Sequence, residues 1–187
     1  MRVSTNIPGL DDILHGGLTP ARTYLVYGAS GTGKTTLGLH FLSSEPGLLI
    51  TFAESEESLR ADAKSIGVDL RSTVLDLTPT AEDFCEAQTY DIFSPGEVER
   101  EAVTEKIASA IDAVKPRRIF VDGFNVFRDL AADDFHYHRL VQSFFRYAAR
   151  RNSTLLVASD GPEGASLVDG IIRLDFTTAG RFVEVAK

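Results

Sequence analysis

The chain has 187 residues, 43% of them hydrophobic and 25% charged, which is ordinary for a globular protein and long enough to bury one core. A formal net charge of −8 argues against a sequence-independent grip on nucleic-acid phosphates, which needs clustered Lys and Arg. Cys85 is the lone cysteine, so an intrachain disulfide and a Cys-based metal site are both excluded.

No apolar stretch reaches the roughly 18 residues of a membrane span, and the opening MRVSTNIPGL lacks a signal-peptide apolar region. The expectation is a cytoplasmic protein of one domain covering residues 1–187. Along the chain, Thr23 to Tyr27 is a short β-branched and aromatic run bounded by loop residues, and reads as a buried strand. A glycine-rich loop follows, Gly28 to Gly33, and then TTLGLHFL carries apolar residues at helical spacing. Leu48 to Phe52 predicts a second buried strand, Ser55 to Ile66 a helix stopped by Gly67, and Ser72 to Leu77 a short strand. Thr78 to Phe93 has no clear period.

Ser94-Pro95-Gly96-Glu97 has the form of a helix start, with Ser94 as cap, Pro95 at the first position and Glu97 closing a capping box. That helix runs to Lys115-Pro116, where the proline ends it. Arg118 to Asp122 reads as a strand and Asp134 to Arg151 as a helix with Leu140, Val141, Phe144, Phe145 and Ala148 on its apolar stripe. Thr154 to Ser159, Gly170 to Leu174 and Arg181 to Ala186 complete the strands. Apolar strands alternating with helices predict an α/β fold, a mainly parallel sheet with helices on both faces. The last two strands, joined by Thr177-Thr178-Ala179-Gly180, predict an antiparallel hairpin at an edge.

Gly28-Ala29-Ser30-Gly31-Thr32-Gly33-Lys34-Thr35 matches G-x-x-x-x-G-K-[ST] in full, between a strand and a helix. Glycines let the backbone curl so that several amide N–H groups converge on phosphate oxygens, and the helix adds the positive end of its dipole. This pattern predicts a nucleotide-binding cradle of Gly28, Ala29, Ser30, Gly31, Thr32, Gly33, Lys34, Thr35 and Thr36. Lys34 would reach the β- and γ-phosphates, a catalytic as well as a binding role, and the Thr35 hydroxyl would bind Mg²⁺. Asp122, ending an apolar strand, supplies the second metal anchor, against the alternative of an Asp-Gly turn. Ser159, ending the next strand, faces the γ-phosphate from the carboxyl edge of the sheet.

With these residues in place the sequence resembles the KaiC-like branch of the RecA superfamily of P-loop ATPases. The resemblance begins at Ser4-Thr5-Asn6-Ile7-Pro8-Gly9-Leu10-Asp11-Asp12-Ile13-Leu14, similar to T-G-I-P-G-L-D-E-I-L, with Gly16-Gly17-Leu18 following. It continues through the P-loop, Ile50 to Leu59 against V-T-F-E-E-S-P-E-x-L, the Asp122 strand, and Asp169 to Leu174 against D-G-V-I-x-L. It implies a RecA-like fold, Mg·ATP bound at subunit interfaces of a homo-oligomeric ring, commonly a hexamer, and a protein signalling partner. It also implies a water-activating base after the second strand, and a K-x-R pair reaching the neighbour's ATP. Lys187 matches the Lys of that pair, and the Arg position falls beyond the sequence. Of the family's phosphorylated Ser-Thr pair only Ser166 lies nearby, and it reads as a surface serine.

The family shows two glutamates after T-F, whereas this sequence has Ala53 and then Glu54. Three readings stay open: Glu54 orients the water and supports slow hydrolysis; the site binds ATP as a switch or scaffold that recruits a partner; or the acids are a charged helix start. Glu56 and Glu57 fit the last, because a helix dipole favours acids in the first turn. Glu54 stands at the strand end and is the candidate base. A DNA-binding filament is the least favoured reading, given the charge. Elsewhere, His136 and His138 sit two apart on a helix and cannot chelate one metal. Asp133 and Asp134 read as helix cap and dipole partners, and Arg150 and Arg151 as partners of its C-terminus. Phe124 and Phe127 read as core.

Overall fold

The computed structural model describes residues 2–79, 95–178 and 180–186, with the backbone alone for 95–100. The proposed Ser94 cap, Cys85 and Lys187 therefore lie outside the described residues, as does the side chain of Glu97. In chain order the elements are α1 (Pro8–Ile13), β1 (Thr23–Tyr27), α2 (Lys34–Leu42), β2 (Leu48–Thr51), α3 (Glu56–Ser65) and β3 (Thr73–Asp76). Then follow α4 (Pro95–Val114), β4 (Arg118–Asp122), α5 (Val126–Asp129), α6 (Asp134–Arg150), β5 (Thr154–Ser159), β6 (Gly170–Thr177) and β7 (Gly180–Ala186).

The seven strands form one sheet in the order β3-β2-β4-β5-β1-β6-β7. All neighbours are parallel except β6 and β7, the antiparallel hairpin expected at the edge. Pairing runs on to Thr177 and Gly180, so the hairpin is tighter than the four-residue loop expected from sequence. The β1, β2, β4 and β5 strands are buried on nearly every residue, which is why their sequences are apolar without alternation. One apolar layer holds Leu37, Phe41, Leu59 and Phe120; the other holds Ile111, Phe124, Phe127, Val141 and Phe145. Phe124 and Phe127 are thus core residues, as their sequence context suggested, with ring centroids 5.0 Å apart.

Local chemistry explains the helix ends. Ser55 caps α3 by accepting from the Ser58 amide, and Gly67 beyond its end takes a φ of +75°. Glu56 and Glu57 occupy the first turn of α3, and Asp133 caps α6 by accepting from the His136 amide. Arg151 does more than face the helix end: it pairs with Asp112 of α4 at 2.5 Å and stacks on Tyr147. Gly38 lies where α2 crosses the sheet, and a Cβ there would collide with the buried Phe120 ring.

The N-terminal segment, unassigned from sequence apart from its resemblance, is fixed by polar contacts. Asp11 accepts from Ser4 Oγ at 2.5 Å, the Thr5 amide at 2.7 Å and Thr5 Oγ1 at 2.8 Å. Arg118, buried at the start of β4, donates to the carbonyls of Ser4 and Phe41 and pairs with Glu45 at 2.9 Å. One guanidinium thereby ties the chain start, the end of α2 and the sheet together.

Candidate nucleotide-binding site

The strand order decides what meets above the sheet. With β5 between β1 and β4, the loops leaving these three strands converge at the carboxyl edge, where such sheets bind ligands. A cleft of about 530 Å³ opens there, within the range of small-molecule sites. Its lining includes Ser30, Gly31, Gly33, Lys34, Thr35 and Thr36 from the loop and the start of α2. Gly31 and Gly33 hold φ values of +79° and +101°, which side chains rarely tolerate and which turn successive amides to one side. Gly28 is required for a different reason: a Cβ there would strike the Leu174 carbonyl. Thr32 Oγ1 closes the loop on the Ala29 carbonyl at 2.8 Å.

The Lys34 ammonium donates to the carbonyls of Gly28 at 2.6 Å and Ala29 at 3.1 Å, and pairs with Asp160 at 2.9 Å. Thr35, the next residue, donates its hydroxyl to Asp122 Oδ2 at 2.8 Å. Asp122 is buried, and that burial pushes its pKa up from the ordinary carboxylate range. The Thr35 hydrogen bond and Lys34 oppose the shift, while the charge of Glu54 adds to it. A buried carboxylate beside a hydroxyl, with surplus negative charge nearby, is chemistry that a hard divalent cation satisfies. Among the described residues no cluster of three or more His, Cys, Asp or Glu could hold a metal unaided. Two protein ligands with the rest from phosphate and water is the usual Mg²⁺ arrangement at a P-loop, and Thr35 with Asp122 fit it.

The Ser159 hydroxyl is buried, lines the cleft and has no partner among the described protein residues, so it is free to donate to a ligand oxygen. Across the cleft, Phe52, Ala53 and Glu54 follow β2. Thr51, fully buried, shapes this turn: its hydroxyl donates to the Glu54 carbonyl at 2.7 Å and receives the Ala53 and Glu54 amides. The Glu54 carboxylate accepts from Ser58 Oγ at 3.1 Å, so its carboxylate is oriented while it borders the cleft. Gly123, at φ +81°, lets the loop after Asp122 press close against Phe52 and Ala53.

The structure thus gathers Lys34, Thr35, Thr36, Glu54, Asp122 and Ser159 around one cleft. Ser166, in a short 3-10 turn (Ala165–Leu167), is exposed and outside that lining. Sequence reasoning missed Thr51 and Asp160. Thr51 was visible only as part of the T-F resemblance, and Asp160 carried no signal except its place directly after Ser159. No helix among the described residues is long and apolar enough to cross a membrane.

Comparison with known proteins agrees with this geometry. Residues 3–185 match a family model described as ATPase: KaiC. The chain is 34% identical to the circadian clock oscillator protein KaiC of Prochlorococcus marinus (strain MIT 9313) over 134 residues, covering 65% of the chain and 25% of that relative. It is 37% identical to the protein of the same name from Nostoc sp. (strain PCC 7120 / SAG 25.82 / UTEX 2576), covering 65% and 24%. Against that of Synechococcus elongatus (strain ATCC 33912 / PCC 7942 / FACHB-805) the identity is 35%, with the same coverage of 65% and 24%. The chain therefore spans about a quarter of the length of these relatives.

Proposed function

The chain belongs to the KaiC ATPase family, and on that premise we propose that its cleft binds Mg·ATP and hydrolyses it slowly to ADP. The observation that carries this reading is the Thr35–Asp122 contact beside Lys34, which sets a metal-binding pair next to a phosphate cradle. Thr35 and Asp122 would hold Mg²⁺, which neutralises charge developing on the transferred phosphoryl group. Backbone amides of the Gly28 to Gly33 loop orient the phosphates, Lys34 contacts the β- and γ-phosphates, and Ser159 donates to a γ-phosphate oxygen. Glu54, steadied by Ser58 and by the Thr51 turn, takes the proton from the attacking water. Family membership supports a cytoplasmic homo-oligomer, such as a hexameric ring, with a regulatory or signalling role. In that ring Lys187 approaches the neighbour's nucleotide.

A second reading is favoured by one specific residue. Ala53 lines the cleft where the family resemblance leads one to expect the principal base. On that reading the protein binds ATP without appreciable turnover and acts as a switch that recruits a partner protein. Steady-state ATP hydrolysis by the parent and Glu54→Gln, measured over a range of protein concentrations, separates the two. A general base contributes about 10²–10⁴-fold, so the Gln variant should lose at least a hundredfold in rate with nucleotide affinity nearly unchanged. Equal rates in both proteins would remove Glu54 from the mechanism. Nucleotide binding with no turnover in the parent would favour the switch.

A further inference from the structure

We propose that Asp160 sets the preference of this site between nucleoside triphosphate and diphosphate, by competing with the terminal phosphate for Lys34. The inference rests on the reading that the cleft binds Mg·ATP. An ammonium has three N–H donors, and Lys34 directs all three at protein oxygens: the Gly28 and Ala29 carbonyls and the Asp160 carboxylate. Two of these acceptors are neutral loop carbonyls that hold the lysine over the cradle. The third is an anion, standing where an anionic ligand would also seek the lysine.

Position explains why the competitor faces the terminal phosphate. Asp160 leaves the end of β5, which lies in the sheet between β1, feeding the phosphate loop, and β4, ending in Asp122. Thr35 and Asp122 would hold the metal, and a terminal phosphate lying between the loop and Asp122 would pass beside the end of β5. There Asp160 pairs with Lys34 and lines the cleft. Its side chain is 71% exposed, against 12% for Lys34, so it can swing into water while the lysine stays fixed.

Both outcomes of the competition have the same sign. Should the carboxylate leave, the ion pair is lost on binding; should it stay, two anions share one cation and repel. Exposed ion pairs are weak and readily exchanged. Together with one close like-charge repulsion in a wet cleft, the penalty corresponds to about a tenfold loss of triphosphate affinity. A diphosphate lacks the γ-phosphate and so suffers less, about threefold.

The test is calorimetric titration of the full chain with Mg·ATP and with Mg·ADP, using the parent, Asp160→Asn, Asp160→Glu, Lys34→Ala and the distant surface control Asp69→Asn. The Asn variant should bind Mg·ATP about tenfold more tightly and raise the ATP-to-ADP affinity ratio about threefold. The Glu variant, which keeps the charge, and the Asp69 variant should stay near the parent ratio. A merely structural change at position 160 would move both nucleotides together, so an unchanged ratio in Asp160→Asn overturns the proposal even if binding persists. Failure of every protein to bind either nucleotide, or binding untouched by Lys34→Ala, would instead overturn the nucleotide-site reading, and the role of Asp160 with it.

Discussion

Replacing Asp122 with Asn should make the unliganded protein more stable and the nucleotide-bound protein less so. Asp122 is buried, desolvation dominates its raised pKa, and the charge of Glu54 adds to it. The effective penalty for a buried ion is several kcal/mol. Its hydrogen bond from Thr35 recovers roughly 1.5–3 kcal/mol, the range for bonds to charged groups. Asn keeps an oxygen for the Thr35 hydroxyl and drops the charge, so the net gain is on the order of 1 kcal/mol. For a chain of this size that raises the melting temperature by roughly 2–4 °C. The pH dependence has a definite sign. An acid whose folded pKa is raised favours the fold most below its ordinary pKa, and that contribution is lost as pH rises through the folded value. The gap between Asn variant and parent should therefore be closed in acid and open toward neutral pH. With Mg·ATP at a hundred times its Kd, the parent gains about 2.7 kcal/mol, and the variant, lacking its metal anchor, gains little. Thermal melts with and without Mg·ATP across pH measure all three effects. A variant that melts below the unliganded parent at neutral pH, or that keeps the full Mg·ATP shift, would refute the reasoning.

Three further outcomes follow from the packing. Gly38→Ala gains about 1 kcal/mol of helix propensity but forces a methyl into the buried Phe120 ring, and should lose about 2 kcal/mol overall, read as a lower urea midpoint at unchanged slope. Arg118→Ala strips donors from the Ser4 and Phe41 carbonyls and should cost about 3 kcal/mol, whereas Glu45→Gln, at a partly exposed partner, should cost under about 1 kcal/mol; equal losses would place the value in the ion pair. Asp11 has a lowered pKa because, although partial burial pushes it up, bonds from Ser4 and Thr5 outweigh that effect. Its stabilising contribution is thus present above the ordinary Asp pKa and lost as pH falls through the folded value, so Asp11→Ala should destabilise by about 2 kcal/mol at neutral pH and progressively less in acid.

What the sequence disclosed was local. The phosphate loop was legible because its glycines, lysine and threonine sit within eight consecutive residues between a strand and a helix. Asp133 was legible as a cap for the same reason, since a cap bonds an amide three residues on. The contacts that make a site were not local. Thr35 meets Asp122 across 87 positions, and Arg118 meets Ser4 across 114. No periodicity encodes such pairings, so Asp122 could be suggested only by the chemistry a phosphate cradle demands. Asp160 escaped because its contact with Lys34 comes from strand order, which places β5 beside both β1 and β4. Thr51 escaped because a buried threonine in an apolar strand looks like a β-former until its hydroxyl is seen gripping the turn that follows.

The balance of charge in the cleft gives these residues opposed meanings. Among the described residues lining it, Glu54, Asp62, Asp122 and Asp160 oppose the ammonium of Lys34. Two like charges about 4 Å apart repel by about 1 kcal/mol in water and about 4 kcal/mol near a protein surface, so a polyphosphate entering this cleft meets resistance from every acid it nears. The left-handed glycines answer with neutral backbone dipoles, which attract phosphate without adding net charge. Neutralising an acid that only repels the phosphate should therefore tighten binding. Neutralising one that holds a cation against the phosphate should weaken it. With the roles proposed above, Asp160 and Asp122 should fall on opposite sides of that rule, although both are aspartates at the ends of adjacent strands. The sign of the affinity change, more than its size, tells a competitor for the lysine from an anchor for the metal.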